Sequence, residues 1–129
     1  MSEAREAVRY PDVVLVTGAA NGMGAGHARA LGARGVHVCA ADVADASGIV
    51  GEITAAGGSA SAHSLDVTDP AQWAALVDEI RVDHGLLGGL VNNAGISRRL
   101  EFMDTTAEVW DQVLAVNLSG PFHGMRAAA

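Results

Sequence analysis

The sequence predicts an α/β fold, a doubly wound parallel sheet with helices on both faces. Three observations predict it. Short apolar runs alternate with longer stretches of helical periodicity along the whole chain. The first run, Val13-Val14-Leu15-Val16, leads into a glycine turn that opens an alanine-rich helix. The second run is closed by an acid, Asp42, at the distance that such a turn calls for.

The elements follow in order. Strand 1 is Val13 to Thr17, and its helix runs from about Gly22 to Arg34, where Gly35 stops it. Strand 2 is Val36 to Ala41, apolar apart from His37. A short helix is expected near Ala46 to Ala56, with Asp45 as its cap and Gly57-Gly58 as its end. Strand 3 is Ser59 to Leu65. Thr68-Asp69-Pro70 reads as a helix cap with proline in the first turn. The helix that follows puts Trp73, Leu76, Val77 and Ile80 on one face and ends near Gly85. Strand 4 is Gly89 to Asn92. After a loop, Thr105-Thr106-Ala107-Glu108 reads as a capping box that starts one long final helix, with Trp110 on its core face. Residues 1–11 are a leading tail, and residues 12–129 form one domain.

Composition limits the functions open to such a domain. Half of the 129 residues are apolar and the mean hydropathy is +0.24, which argues against disorder. A net charge of -7 argues against a nucleic-acid partner, which would favour a basic face. No apolar run reaches the length of a membrane span, and the charged N-terminus does not read as a secretory signal. The single cysteine, Cys39, excludes an internal disulfide and suits a reducing compartment, so the expected location is cytoplasmic. The histidines at 27, 37, 63, 84 and 123 are scattered without ligand spacing, and no metal site is expected.

The chemistry lies in the glycine turn, Thr17-Gly18-Ala19-Ala20-Asn21-Gly22-Met23-Gly24. Gly18 permits a sharp exit from the strand, Gly22 lets a pyrophosphate approach the backbone, and Gly24 lets the helix pack closely. The helix N-terminus then offers free N–H groups and partial positive charge to the phosphates, with Met23 in the same turn. Asp42 would accept from ribose hydroxyls and repel a 2′-phosphate. Asn21 and Val43 stand where a phosphate-binding cation would be needed, so NAD is the expected cofactor rather than NADP. The alternative is that Asp42 simply ends its strand or caps the next helix.

On these residues the chain resembles the short-chain dehydrogenase/reductase family, over essentially everything from Asp12 onward. The glycine turn matches that family's T-G-x-x-x-G-x-G, Asn92-Asn93-Ala94-Gly95 its N-N-A-G, and Asn117-Leu118-Ser119-Gly120 its N-x-x-G. Asp66-Val67 match its adenine-contacting pair. The resemblance implies a Rossmann-type sheet with strand order 3-2-1-4. It places Asn93, Ala94 and Gly95 beside the cofactor and Val116 near the adenosine. It implies that Asn117 holds a water in a proton relay. Pro121 supports this, because it has no N–H to give to the Asn117 carbonyl four residues earlier. Arg98-Arg99 are a solvated loop pair or line a substrate entrance.

The family's catalytic serine, tyrosine and lysine have no matching positions. The sequence contains no lysine, and its one tyrosine is Tyr10. The reading that follows is an NAD-dependent oxidoreductase acting on a small-molecule alcohol or carbonyl, of which this chain holds the cofactor-binding half. A cut within the helix after strand 4 is expected, since Ala127-Ala128-Ala129 carry no stop signal. Strand 4, with Leu90 and Val91, would then be an open edge, and Val109, Val113, Val116 and Phe122 would be uncovered. The resemblance also implies a homo-oligomer. The rivals are a non-catalytic dinucleotide-binding module and a fragment without its own function.

Overall fold

The computed structural model describes residues 7–129. Four strands form one parallel sheet in the order β3-β2-β1-β4. They are β1 (Val13–Thr17), β2 (His37–Asp42), β3 (Ser59–Ser64) and β4 (Gly89–Val91). The helices are α1 (Gly22–Gly32), α2 (Ser47–Ala55), α3 (Pro70–His84), α4 (Ala107–Leu114) and α5 (Gly120–Ala128). The topology is the one expected from the sequence.

The alternation of side chains along each strand divides the core in two. Val14, Val16, Val38 and Ala40 face α1 and α2, where they meet Ala28, Ile49 and Ile53. Val13, Leu15, Cys39 and Ala41 face the other side and meet Trp73, Leu76 and Ile80 of α3. β1 is buried along its whole length, as a central parallel strand should be. Trp73 is fully buried, and its indole N–H donates to the Val67 carbonyl at 2.9 Å. Asp69 caps α3 by accepting from the Ala71 N–H at 2.9 Å, with Pro70 in the first turn. The N-cap of α2 is Ala46 rather than the expected Asp45, which lies one residue before it and accepts from the Ser47 N–H at 2.9 Å.

Several expected boundaries move. α1 stops at Gly32, because Arg34 and Gly35 turn back on Leu31 and Gly32, and Gly35 takes a left-handed φ of 81°. Val36 donates to the Leu31 carbonyl at 3.3 Å, so β2 begins at His37. β4 ends at Val91, because the next loop turns onto Thr17. The α4 cap is Thr106, whose hydroxyl accepts from Val109 at 3.2 Å. That places Val109, not Glu108, at the third helical position, so the expected capping box is displaced by one residue.

The expected long final helix is interrupted. Between α4 and α5, residues Ala115–Ser119 form a π-helical turn in which the Gly120 N–H bonds to the Ala115 carbonyl. Trp110 is also not a core residue, being 60% exposed on α4. Leu118, Phe122 and Met125 are exposed as well, whereas Val109, Val113 and Val116 are half-buried. Among the described residues β4 is bonded on one side only, to β1, and Leu90 and Val91 are half-buried.

α5 packs on α3 through Gly124. A Cβ built there lies 2.6 Å from the Trp73 ring and 2.9 Å from Asn92 Oδ1. Replacing glycine by alanine inside a helix gains up to about 1 kcal/mol. Overpacking against a fixed indole costs about 1–3 kcal/mol. Gly124→Ala is therefore expected to be net destabilising, with a lower urea midpoint at unchanged m-value. A raised midpoint would show that Trp73 has room to move.

Candidate functional site

The C-terminal ends of the strands open onto a cavity of about 390 Å³. Gly18, Asn21, Gly22 and Met23 line it from the turn after β1, and Asp42 and Val43 from the end of β2. Asp66 and Val67 line it after β3, and Asn93, Ala94 and Gly95 after β4. Val116 closes one side from the π-helical turn. Sequence reasoning had placed all of these at the site. It missed two lining residues, Leu65 and Ile96, which are ordinary apolar residues without a motif signal.

Gly24 lies behind this surface. A side chain on it would overlap the Gly18 carbonyl and come to 2.5 Å from Asn93 Nδ2. Gly18 and Gly22 take left-handed φ values of 63° and 57°. A Cβ at Gly18 would meet Ala94 Cα and Asn93 Nδ2 at 2.9 Å, whereas the space at Gly22 is open. Asn21, the N-cap of α1, makes no side-chain capping bond, and the first turn carries no acid. The helix start thus keeps its N–H groups for an anion and holds no competing carboxylate. The cradle fits a dinucleotide pyrophosphate.

Thr17 holds the two halves of this surface together. It is the one buried polar residue among those described, at 1% exposure. Its Oγ1 accepts from the Asn93 N–H at 3.1 Å and the Ala94 N–H at 3.0 Å, and donates to the Val91 carbonyl at 3.4 Å. That uses every hydrogen-bonding position of a hydroxyl. Asn93 Nδ2 returns a bond to the Gly18 carbonyl at 3.2 Å. The motif that contains Thr17 was read from the sequence, but this bridging role was not.

The two carboxylates are held by backbone N–H groups. Asp42 Oδ2 accepts from the Ala20 N–H and Oδ1 from the Ala44 N–H, both at 3.0 Å. Asp42 thus ties the end of β2 to the glycine turn, beyond simply ending its strand. Asp66 Oδ1 accepts from the Thr68 hydroxyl at 2.7 Å and its N–H at 2.9 Å, and these bonds hold its carboxyl below the usual range. The Asp66 N–H donates to Gln72 Oε1 at 2.8 Å. The loop after β3 is therefore fastened to α3 through both Gln72 and Trp73.

Asn117 does not line the cavity. Its side chain clasps the backbone of Ile96, which does: Ile96 N–H donates to Oδ1 and Nδ2 donates to the Ile96 carbonyl, both at 2.8 Å. The amide lies 3.4 Å from a Cβ built on Gly95. The helix adopts its π-helical turn across Asn117, four residues before Pro121. Arg98 reaches Gln112 Oε1 at 3.1 Å, so one member of the arginine pair is anchored to α4. Among the described residues no group of histidines, cysteines and acids has the geometry of a metal site.

Known proteins share this arrangement. The family model for short chain dehydrogenase matches residues 12–129, and the chain belongs to that family. The 3-alpha-(or 20-beta)-hydroxysteroid dehydrogenase of Mycobacterium tuberculosis is 44% identical over 115 residues, covering 89% of this chain and 44% of the relative. The cyclopentanol dehydrogenase of Comamonas testosteroni is 41% identical over 117 residues, covering 89% of this chain and 47% of the relative. Among solved structures, a short chain dehydrogenase from Mycobacterium avium superposes with a TM-score of 0.86 at 41% identity, over 90% of this chain and 44% of that one. A metagenomic short-chain oxidoreductase in complex with NADP gives 0.85 at 35% identity, over 90% of this chain and 54% of that one. The chain thus spans about half the length of these relatives.

Thr17→Val keeps the shape of the side chain and removes the bridge. Each N–H left buried without a partner costs on the order of 1–3 kcal/mol. Chemical unfolding should show a loss of that size for Thr17→Val and a much smaller one for Thr17→Ser, which keeps the hydroxyl. Equal losses would assign the effect to the methyl group.

Proposed function

We propose that residues 12–129 form the cofactor-binding half of an NAD-dependent oxidoreductase acting on an alcohol or carbonyl compound. Family membership supports the reaction class. The named relatives include dehydrogenases of a hydroxysteroid and of cyclopentanol, both secondary alcohols. The observation that carries NAD is Asp42, whose carboxylate stands at the pocket rim with no cationic side chain among the lining residues. A 2′-phosphate there would meet a fixed negative charge without a counter-ion. Two of the similar solved structures hold NADP or NADPH, so the NAD reading rests on this site and not on the family as a whole.

In this reading the bound nicotinamide takes or gives the hydride. The chain's residues hold it in place. Gly18, Gly22 and the start of α1 receive the pyrophosphate, and Asp42 accepts from the ribose. Asp66 and Val67 meet the adenine, and Val116 packs beside the adenosine. Asn93, Ala94 and Gly95 face the nicotinamide end, where the Thr17 bridge fixes their backbone. Asn117 is a relay residue, holding a water while its side chain positions Ile96. The exposed apolar residues of α4 and α5 support a homo-oligomer. Among the described residues no helix is long and apolar enough to cross a membrane, in keeping with a cytoplasmic enzyme.

The 129 residues contain no lysine, and their one tyrosine is Tyr10 at the end remote from Asn117 in sequence. Proton transfer to or from the substrate oxygen therefore has no acid/base of the family's kind within them. The chain is expected to bind nucleotide without steady turnover. Incubation with NAD and a panel of secondary alcohols, following reduced nicotinamide, checks this. Turnover that survives Tyr10→Phe and Asn117→Ala would overturn it.

Calorimetric titration with both cofactors tests the nucleotide choice. NAD should bind more tightly than NADP, and the reverse order would sink the proposal. Asp42→Ala should narrow the gap by about 1–3 kcal/mol, the scale of a hydrogen bond to a charged group. It should also weaken NAD, because Ala20 and Ala44 lose their acceptor.

A further inference from the structure

On the α3 side of the sheet the core changes character at the outer edge. Toward β1 the contacts are apolar, centred on Trp73, Leu76 and Ile80. Toward β3 the pairing brings His37 beside Ser59, Cys39 beside Ser61, and Ala41 beside His63. The histidines that are scattered in sequence meet here. Ser59 Oγ lies 2.6 Å from His37 Nδ1, and His37 Nε2 lies 3.1 Å from Ser61 Oγ. Ser61 Oγ lies 2.7 Å from His63 Nε2, and His63 Nδ1 faces Glu79 Oε1 at 3.8 Å. From the end of α3, His84 stacks on His37 with ring centroids 3.9 Å apart.

The hydrogen bonds run in one direction when both buried-side histidines are neutral. Ser59 donates to His37, His37 donates through Nε2 to Ser61, and Ser61 donates to His63, whose Nδ1 faces Glu79 beyond hydrogen-bond distance. Charging this chain is unfavourable for identifiable reasons. The His63 side chain is only 8% exposed, so its cation would lose most of its hydration. A charged His37 would lie against His84 and near His63.

We propose that the Ser59–His37–Ser61–His63 chain, with the His84 stack, is a pH-sensitive latch that holds α3 on the outer edge of the sheet while its histidines are neutral and loosens it in mild acid.

The charged groups around it decide the sign. Burial, followed by the charges of His84 and His63, holds His37 below its ordinary value of 6.5. Burial lowers His63 as well, and His84 adds to this; Glu79 and Asp83 pull the other way. Burial wins over Glu79, whose side chain is 58% exposed and therefore screened by solvent. Burial raises the Cys39 thiol, against the Ser61 hydrogen bond, so Cys39 stays neutral over the same range. On the β1 side His37 meets Asp12 through its backbone N–H and the Asp12 carbonyl, at 2.8 Å. Because both histidines titrate lower when folded, their contribution is complete above pH 6.5 and is lost as pH falls through the folded values.

The latched helix also carries Gln72 and Trp73, which fasten the Asp66–Val67 loop. Any effect of the latch on nucleotide binding rests on the dinucleotide reading. The test needs no nucleotide, so its failure and the failure of that reading are separate results.

Hydrogen exchange by mass spectrometry, corrected for intrinsic rates, is measured on the protein at about pH 7.5 and about pH 5.5, the range where histidine titrates. Protection of β3 and the C-terminal half of α3 should fall more than that of β1, by up to about tenfold per histidine over the one pH unit below 6.5. Uniform loss across the sheet, or unchanged protection of α3, overturns the latch. The exposed stack is probed with His84→Gln, which leaves the buried chain in place. It should raise the NMR titration midpoint of His37 toward its ordinary value and so reduce the loss of protection between the two pH values. An unmoved His37 midpoint would show that the stack is not part of the device.

Discussion

One hydroxyl sets the geometry on which the pocket depends. Thr17 ends the central strand and receives two N–H groups from the loop after β4, while it donates to the last carbonyl of β4. The loops on either side of the switch in strand order are thereby held at one distance. Gly18 must be glycine because that distance leaves no room for a side chain against Ala94. Gly24 must be glycine because the turn then folds over the start of α1. The return bond from Asn93 to Gly18 closes the same unit. The proposed binding of phosphate through bare backbone would need such a clamp, since backbone N–H groups are useful only when rigidly placed.

The same economy governs the other rims. Asp42 and Asp66 each spend carboxylate oxygens on neighbouring backbone and hydroxyl groups. These bonds fix where the carboxylates point at the rim of the pocket. Asn117 is used in a similar way, with its amide clasping Ile96 across a π-helical turn. Such turns widen a helix by one residue per turn and are found often at functional sites. The family match over residues 12–129 accords with this design, in a chain about half the length of its relatives.

The outer edge of the sheet follows different physics. There, serine and histidine replace the aliphatic contacts that join α3 to the inner strands. Directional bonds give this edge specificity. Its stability depends on neutral imidazoles, a condition the apolar core does not share.

The sequence by itself determined the order and kind of the elements, because valine-rich runs, glycine stops and the Asp69-Pro70 cap act over a few residues. It also marked most of the pocket wall, the glycine turn and Asp42 through local pattern and the remaining marked residues through the family resemblance. Leu65 and Ile96 escaped notice, since an apolar residue at a rim looks like any core residue. Trp110 reads as core from its spacing and stands in solvent, because periodicity says which residues share a face and not what lies opposite. The bridging role of Thr17 and the meeting of His37, His63 and His84 were decided by tertiary structure alone. Each joins residues distant in sequence, and only the register of a closed sheet and the docking of α3 bring them within hydrogen-bonding or stacking reach.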